Sequence, residues 1–231
     1  MAKKKIVVLT GAGVSAESGL STFRDAGGLW EGYDVYEVAS PQGWASNPEV
    51  VLRFYNERRR QLLNVKPNEA HIALAKLEEK FDVRIITQNV DNLHERAGST
   101  DIIHLHGELT KARSTVSPYM SYEIGYKDIN IGDVCEKGGQ LRPNIVWFGE
   151  SVPLMSDAAH ISATADIFIV VGTSLVVYPA ASLIDFVPQE SIKYIIDPQK
   201  PNVYGVHKNL KFILEKATTG TPPLVEKLLS E

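Results

Sequence analysis

A glycine-rich segment near the start of the chain carries residue types that suit phosphate binding. Gly11, Gly13 and Gly19 follow a short apolar run, and mostly small residues stand between them. Glycines let the backbone approach a pyrophosphate, and the start of the following helix offers free N–H groups and a favourable dipole. Ala16 departs from the Gly-x-Gly-x-x-Gly spacing at a position where alanine is tolerated. Taken alone, the segment indicates either a nucleotide site or a tight packing turn.

Apolar runs that end in polar turns predict where such a site would lie. The runs are typical of buried parallel strands and comprise residues 6–9, 83–87, 167–171 and 193–196. Strand, turn and helix in alternation predict an α/β fold with a doubly wound, Rossmann-like parallel sheet. Ligands bind beyond the carboxyl ends of the strands in such sheets, so the turns that follow the four runs should surround one crevice.

Two stretches interrupt the alternation and predict a smaller inserted lobe. Residues 31–70 favour helix without a strand, and residues 111–145 have an irregular pattern. We therefore expect one domain over 1–231, whose larger lobe comprises about 1–30, 71–110 and 146–231. Further strands are expected at 101–105 and 210–213, and helices near 48–63, 68–80 and 179–186.

Charge and composition exclude several classes of protein. The net charge is −4, and the basic run at the start, residues 3–5, is interpreted as a solvated flank. Binding to nucleic acid or to an anionic membrane would require clustered Lys and Arg. No apolar stretch approaches the roughly 18 residues of a membrane span, and the first run is too short for a secretory signal. The single cysteine, Cys135, leaves no intramolecular disulfide. We expect a cytoplasmic monomer that binds neither nucleic acid nor membrane.

Five motifs, taken together and in order, resemble the sirtuin family. They are GAGVSAESGLSTFR at 11–24, TQNVDNLH at 87–94, LHG at 105–107, LRPNIVWFGE at 141–150 and GTSL at 172–175. Five ordered motifs are far more specific than one glycine-rich loop, and the resemblance runs from about Lys5 to the C-terminus. It implies an NAD-dependent protein-lysine deacylase, which passes the acyl group to the ADP-ribose part of NAD and releases nicotinamide and O-acyl-ADP-ribose.

The resemblance also implies which residues contact NAD across the crevice. They are Gly11, Ala12, Gly13, Ser15, Glu17, Phe23, Arg24, Gln88, Asn89, Asp91, Gly172, Thr173, Ser174, Asp197 and Ala217. Asp197 stands where the family usually has Asn near the adenine-side ribose, and Ala217 is expected in the last loop, near adenine. Ser21 replaces the usual Pro before Phe23, which could make that loop more mobile.

The resemblance assigns catalysis to Arg24, Asn89, Asp91 and His106. We expect His106 to act as the general base, because a ribose hydroxyl must lose a proton and a group that titrates near neutrality does this best. His104 would share strand parity with His106, which stands beside Gly107 at the strand end and faces the crevice. His94 is interpreted as structural.

The resemblance places acyl-lysine proteins at two sets of residues. Val146, Trp147, Phe148 and Gly149 match the segment to which the family adds a peptide strand, although the first three could simply be core. Tyr55 and Arg58, one helical turn apart, resemble the pair that class III sirtuins use against the carboxylate of succinyl- or malonyl-lysine. Ala39 matches the small residue that widens that pocket. The alternative is a solvated basic face over residues 58–60.

The sequence departs from the family at its usual structural zinc site. Such a site needs four S or N ligands, but Ser114 and Ser117 stand at the first expected pair and only Cys135 remains of the second. We therefore predict no structural zinc. The small lobe would instead be held by packing of the residues Tyr119, Tyr122, Ile124 and Tyr126.

Two other functions remain open for the same NAD site. One is mono-ADP-ribosyl transfer onto a protein, and Tyr55 and Arg58 count against it because a pure transferase does not need them. The other is a non-catalytic NAD-binding sensor. An intact set of Asn89, Asp91 and His106 counts against the sensor, because binding alone does not require a base.

Overall fold

A six-stranded parallel sheet dominates the computed structural model, which describes residues 3–20, 29–30, 32–117 and 119–231. In chain order the strands are β1 (Lys5–Thr10), β2 (Leu29–Trp30), β3 (Tyr33–Asp34), β4 (Asp82–Thr87), β5 (Ile102–His104), β6 (Gly107–Ser114), β7 (Ser121–Glu123), β8 (Leu141–Ile145), β9 (Ile167–Val171), β10 (Ile192–Ile196) and β11 (Leu210–Ile213). The α-helices are α1 (Gly13–Ala16), α2 (Val35–Val38), α3 (Pro41–Ser46), α4 (Pro48–Gln61), α5 (Glu69–Lys76), α6 (Leu93–Ala97), α7 (Met155–Ser162) and α8 (Ala217–Ser230). Short 3₁₀ segments cover Leu77–Glu79 and Ala180–Phe186.

The large sheet has the strand order of a doubly wound nucleotide-binding fold, as predicted. The order is β5-β4-β1-β9-β10-β11, and every neighbouring pair is parallel. The chain reverses its direction of winding between β1 and β9, which is where such folds bind ligands. Thr10 is level with Thr87 on one side and with Val171 on the other. The turns after these three strands therefore begin at one height.

Alternate residues of the central strands enter two separate cores. Ile6 and Val8 of β1 pack on the face covered by α5 and α8. Val7 and Leu9 point to the opposite face, against α7 and the 3₁₀ segment Ala180–Phe186. This period of two is the reason a strand buried on both faces is apolar at every position.

The smaller lobe combines α2, α3 and α4 with an antiparallel sheet of order β7-β6-β8. The expectation of an irregular segment at 111–145 is confirmed over 115–117 and 124–140, which lie outside the named helices and strands. It missed the short strands of the sheet, because a bulge between Glu108 and Ala112 breaks the period of two in β6. The expectation that 31–70 lacks a strand was wrong at β3, which forms a two-residue hairpin ladder with β2.

Two helices of the larger lobe were not predicted. Helix α8 stands where a loop was expected at Ala217, and it contains Pro222 and Pro223. Prolines remove N–H donors from a helix, but Leu224 and Leu228 bury against the sheet and offset that loss. Helix α7 was not predicted because its apolar residues form only a weak helical pattern. No helix in the described part of the chain is long and apolar enough to cross a membrane.

Candidate active site

The glycine-rich turn after β1 packs directly against the turn after β9. Gly11 N donates to Val171 O at 3.1 Å, and Gly13 N donates to Gly172 O at 2.9 Å. A Cβ atom on Gly13 would lie 2.8 Å from the Cα of Gly172, so only glycine fits there. Gly172 has a φ of +64°, and a Cβ on it would lie 2.3 Å from the backbone N of Val14. The glycines therefore bring two strand-end turns together at the point where the sheet reverses direction.

Asn89 is anchored from three sides just beyond β4. Its side-chain amide donates to Ser15 Oγ at 3.1 Å, and its backbone N–H donates to Thr87 Oγ1 at 3.0 Å. Its backbone oxygen lies 3.2 Å from His104 Nδ1. These contacts fix the backbone and one amide hydrogen while using neither lone pair of the side-chain oxygen. The side-chain oxygen and the second amide hydrogen are therefore the groups that Asn89 can offer to a ligand.

Asp91 shares the Ser15 hydroxyl with Asn89. Ser15 Oγ donates to Asp91 Oδ2 at 3.0 Å, and the backbone N–H of Leu93 donates to Asp91 Oδ1 at 3.0 Å. Burial raises the pKa of Asp91, and these two hydrogen bonds only partly oppose that effect. The structure thus brings Ser15, Asn89 and Asp91 into one buried cluster.

His106 lies shortly after β5, and its hydrogen-bond partner identifies which ring nitrogen is basic. Its Nδ1 lies 3.0 Å from the backbone oxygen of Gln88. A carbonyl oxygen can only accept, so Nδ1 carries the hydrogen of the neutral ring and Nε2 is the basic nitrogen. Burial lowers the pKa of His106, although the bond to Gln88 opposes the shift. A neutral imidazole at pH 7 is the protonation state that a general base needs.

His104, two residues before His106, has a raised rather than a lowered pKa. Its Nδ1 donates to Asn89 O, and its Nε2 lies 2.6 Å from Glu95 Oε1. Burial acts to lower the pKa of His104, but the hydrogen bond and charge of Glu95, helped by Glu108, outweigh burial and raise it. His104, Glu95 and Glu108 form a group of three potential metal ligands. Because both ring nitrogens of His104 already donate hydrogens, this group is an ionic contact that supports Asn89.

The ends of β4, β9 and β10 are followed by three more residues assigned to NAD, namely Gln88, Thr173 and Asp197. Gln88 Nε2 donates to Thr173 Oγ1 at 3.3 Å, which joins the turns after β4 and β9. Asp197 is buried at the end of β10, where its carboxylate accepts from the backbone N–H of Gln199. Ala217, expected in a loop, is the buried first residue of α8. Phe23 and Arg24, together with Ser21, lie outside the described residues.

Glu17 contacts protein groups at the start of α8. Its Oε2 accepts from Thr218 Oγ1 at 2.6 Å, and its Oε1 lies 3.5 Å from Lys216 Nζ. The hydrogen bond from Thr218 is the main reason that the pKa of Glu17 is lowered. Glu17 therefore holds the first turn of α8, with Ala217, against the glycine-rich turn.

Helix α4 positions Tyr55 and Arg58 on one face inside the small lobe. The helix begins after Asn47, whose side chain accepts from Val50 N, and Pro48 is its first residue. Tyr55 is fully buried, and its hydroxyl accepts a hydrogen bond from Trp147 Nε1 at 3.0 Å. Arg58 is only 8% exposed. The alternative of a solvated basic face is wrong for Arg58 and for Arg59, which is also buried and donates to Leu109 O. It holds only for Arg60, which is exposed.

The segment expected to bind peptide connects His106 with the Tyr55 cluster. Val146 N donates to His106 O at 2.8 Å, and Phe148 N donates to Ala39 O at 2.9 Å. Residues 146–149 are not in a strand in this structure. Trp147 is core, as the alternative interpretation had it, whereas Phe148 is 40% exposed and Gly149 lies beside it on the surface.

Ser114 and Cys135, two residues that the sequence comparison placed at expected zinc-ligand positions, lie next to each other in the structure. Ser114 Oγ and Cys135 Sγ are 3.2 Å apart, and the backbone N–H of Val116 donates to Ser114 Oγ. Packing of Tyr119 was a wrong expectation, because that ring is 96% exposed. Tyr122 bonds to Glu136, Tyr126 packs on the main core of the lobe, and Ile124 packs on its smaller cluster with Leu52, Ala112 and Ile129.

Sequence reasoning missed an ion-pair cluster in the small lobe. Glu150 accepts from Arg113 at 2.7 Å, from Arg142 at 2.8 Å and from the backbone N–H of Trp147 at 2.8 Å. Burial acts to raise the pKa of Glu150, but the two arginines and Trp147 outweigh burial and lower it. The available signal was the presence of Arg142 and Glu150 within one motif, LRPNIVWFGE.

Comparisons with known proteins agree with this geometry. The Sir2 family model matches residues 11–179, which is more than half of the chain. An "NAD-dependent protein deacylase" of Helicobacter pylori strain J99 is 54% identical over 226 residues, covering 98% of this chain and 96% of the relative. One of the same name from Bacteroides thetaiotaomicron is 52% identical over 231 residues, covering 98% of both chains.

Solved structures agree over nearly the whole chain. A Sir2 homologue in complex with NAD superposes with a TM-score of 0.87 at 42% identity, covering 99% of this chain and 90% of that one. A Sir2 protein bound to a p53 peptide and NAD⁺ superposes with a TM-score of 0.79 at 31% identity, covering 99% and 95%. Motifs, strand order and relatives coincide from the first strand to the last helix, and the chain belongs to the Sir2 family.

Proposed function

We propose that the protein is an NAD-dependent protein-lysine deacylase that removes succinyl and malonyl groups, and acetyl groups as well. The observation that carries the proposal is the neutral His106, with Nε2 as its basic nitrogen, which contacts the backbone of Gln88 directly before Asn89 in the buried cluster of Ser15, Asn89 and Asp91. Relatives at 52–54% identity carry the name NAD-dependent protein deacylase, which supports the same reaction here.

The described residues fit NAD chemically. NAD supplies the ribose that accepts the acyl group and the nicotinamide that leaves. Glycines at 11, 13 and 172 leave the backbone of two turns open for close approach of phosphates. Asn89 offers its side-chain oxygen, while Ser15 and the strand ends hold it in place. The same edge of the sheet is lined by the glycine-rich turn and by the hydrogen-bonded pair of Gln88 and Thr173.

His106 would accept the proton of the ribose hydroxyl at Nε2. Gln88 O holds the hydrogen on Nδ1, so the tautomer is fixed before substrate arrives. Burial keeps the ring neutral and ready to accept a proton at pH 7. Val146 ties the peptide segment to the backbone of His106, so a bound peptide would be placed relative to the base.

The preference for acidic acyl groups rests on α4. Arg58 brings a buried positive charge in a planar fork that matches a carboxylate. Burial raises the pKa of Tyr55, so its hydroxyl keeps its hydrogen and can donate it. Ala39 is small and lies where its backbone contacts Phe148. Together they would form a positively charged end for the pocket of a short acyl chain.

Replacing Arg58 with Met tests the preference directly. Arg58→Met keeps length and apolar packing but removes the charge, so kcat/KM on a succinyl-lysine peptide should fall roughly 10- to 100-fold. The matched acetyl-lysine peptide should change less than about twofold, since it has no carboxylate. Mass spectrometry of both peptides, with and without NAD, gives the two rates. An equal fall on both peptides would contradict the role assigned to Arg58.

Two other outcomes would redirect the proposal. A mass gain of one ADP-ribose on a protein acceptor, without acyl loss, would favour mono-ADP-ribosyl transfer. Bound NAD without turnover on either peptide would favour a sensor. His106→Ala serves as the control, because it should bind NAD and lose deacylation.

We also infer that the small lobe folds without structural zinc. The contact between Ser114 and Cys135 replaces ligands that a tetrahedral site requires. Prolonged dialysis against EDTA should leave the melting temperature and the activity unchanged. Elemental analysis that finds one zinc per chain would contradict this inference.

A further inference from the structure

Trp147 makes a directional contact with the tyrosine of the acyl pocket. Its Nε1 lies 3.0 Å from the Tyr55 hydroxyl oxygen, and both side chains are buried. An indole N–H can only donate, so the hydroxyl oxygen must be the acceptor in this bond. The hydroxyl hydrogen of Tyr55 is consequently left for another acceptor.

Among the residues that the structure describes, Trp147 is the only hydrogen-bond partner of the Tyr55 hydroxyl. The oxygen is fully buried, and a buried hydroxyl that does not donate loses a favourable interaction. Donation from Trp147 to the oxygen also polarises the O–H bond, which makes its hydrogen a stronger donor. The arrangement suits an acceptor that arrives with the substrate, such as a carboxylate.

Trp147 is itself held in a fixed orientation. Its backbone N–H donates to Glu150 at 2.8 Å, and the guanidinium carbon of Arg142 lies 3.2 Å from its ring centroid. Arg142 in turn donates to Glu150 and to Ile145 O. A ring fixed at its backbone and covered on one face cannot easily turn its N–H away from Tyr55.

Trp147 also lies between two parts of the proposed substrate site. Its neighbour Val146 bonds to the backbone of His106, and its neighbour Phe148 bonds to Ala39. A peptide placed along this segment would therefore deliver its acyl chain next to the contact between Trp147 and Tyr55.

We propose that Trp147 is a positioning residue for acyl specificity, whose indole N–H turns the Tyr55 hydroxyl so that it donates its hydrogen to the carboxylate of the acyl group. This inference rests on the proposed function. Trp147 acts only through Tyr55, so its effect should vanish when the Tyr55 hydroxyl is absent.

A double-mutant cycle tests the inference. Wild type, Trp147→Phe, Tyr55→Phe and the double variant are compared by kcat/KM on matched succinyl- and acetyl-lysine peptides. Trp147→Phe should lower the succinyl value roughly three- to tenfold, mainly through KM, and the acetyl value less than about twofold. In the Tyr55→Phe background, the same change should leave the ratio of succinyl to acetyl kcat/KM unaltered.

Trp44→Phe is the matched control. Its ring lies 5.8 Å from that of Trp147 in the same cluster, and the described contacts give it no bond to Tyr55. This variant should keep the wild-type ratio. Trp147→Met, which also lacks the N–H and adapts to irregular space, replaces Trp147→Phe if the latter does not fold, as judged by its melting temperature.

Two results would overturn the inference, and they differ in what else they remove. A wild type that prefers succinyl, with a Trp147→Phe variant of unchanged ratio, sinks the role of Trp147 and leaves the proposed function intact. A wild type without succinyl preference sinks both. In the first case, equal losses on the two peptides, which leave the ratio unchanged, would show that Trp147 only supports the fold.

Discussion

At the scale of single residues, two histidines show how surroundings set chemistry. His106 has one carbonyl partner, and burial lowers its pKa, so it stays neutral. His104 lies between Asn89 O and the Glu95 carboxylate; burial works against its charge, but Glu95 prevails and raises its pKa. The sequence motif singled out His106, but the pairing of His104 with Glu95 depends on the fold and could not be predicted from spacing.

The pH dependence of turnover should report His106. A base must be neutral to act, so kcat/KM should fall as pH drops through its pKa. Because burial lowers that pKa, the midpoint of the acidic limb should lie below the ordinary 6.5 of histidine. His106→Gln should lose roughly 100-fold or more of kcat while NAD still binds, as measured by calorimetry. An acidic midpoint well above 6.5 would contradict this assignment.

At the scale of elements, the buried strands were the predictable part. The continuous apolar run of β9 predicted its observed bounds, because burial on both faces leaves little room for polar residues. The bounds of β11 were also predicted, although this edge strand is only partly buried and contains Lys211. Helix α8 was hidden by Pro222 and Pro223, and packing on the sheet rather than local preference forms it. Strand β6 could not be recognised in the sequence, because the bulge between Glu108 and Ala112 breaks the alternation of buried and less buried residues.

Gly107 should be a sensitive position for joining the two lobes. It has a φ of +83°, and a Cβ on it would lie 1.9 Å from Asn144 O in β8. Gly107→Ala should therefore lower the free energy of unfolding by about 3 kcal/mol or more and displace the adjacent His106. Gly98 has a φ of +105° with open space around it, so Gly98→Ala should cost only about 1 kcal/mol. Urea unfolding of both variants measures the difference, and equal losses would contradict the clash.

At the scale of the whole molecule, the sequence motifs were enough to identify the family. The polar network beneath the strand-end turns of the large sheet became visible only in the structure. His71, which had no motif around it, lies 3.4 Å from Ser15 Oγ, and its ring is 4.9 Å from that of His94. Both rings are buried and neutral. Because His71 contacts Ser15, the protonation of these rings couples the site to the stability of the larger lobe.

This buried pair should make the protein less stable in acid. Burial lowers the pKa of His71 to about 4, below the 6.5 of the unfolded chain. Between those values the unfolded chain binds a proton that the folded chain does not, so stability falls as pH drops from 6.5 towards 4. The contribution of His71 is on the order of 3 kcal/mol. His71→Gln should flatten this fall in urea titrations at several pH values, and an unchanged slope would contradict it. Asp91, whose pKa burial raises, acts in the opposite sense and remains in both proteins.

A competition between two peptides measures the acyl preference and the requirement for NAD together. Equal concentrations of succinyl- and acetyl-lysine forms of one peptide are mixed with the protein and NAD, and mass spectrometry follows both. The ratio of the two rates gives the ratio of kcat/KM without separate titrations. The succinyl peptide should be consumed first, at least roughly tenfold faster, and only with NAD present. Faster loss of acetyl would contradict the acyl preference, and acyl loss without NAD would contradict the proposed reaction.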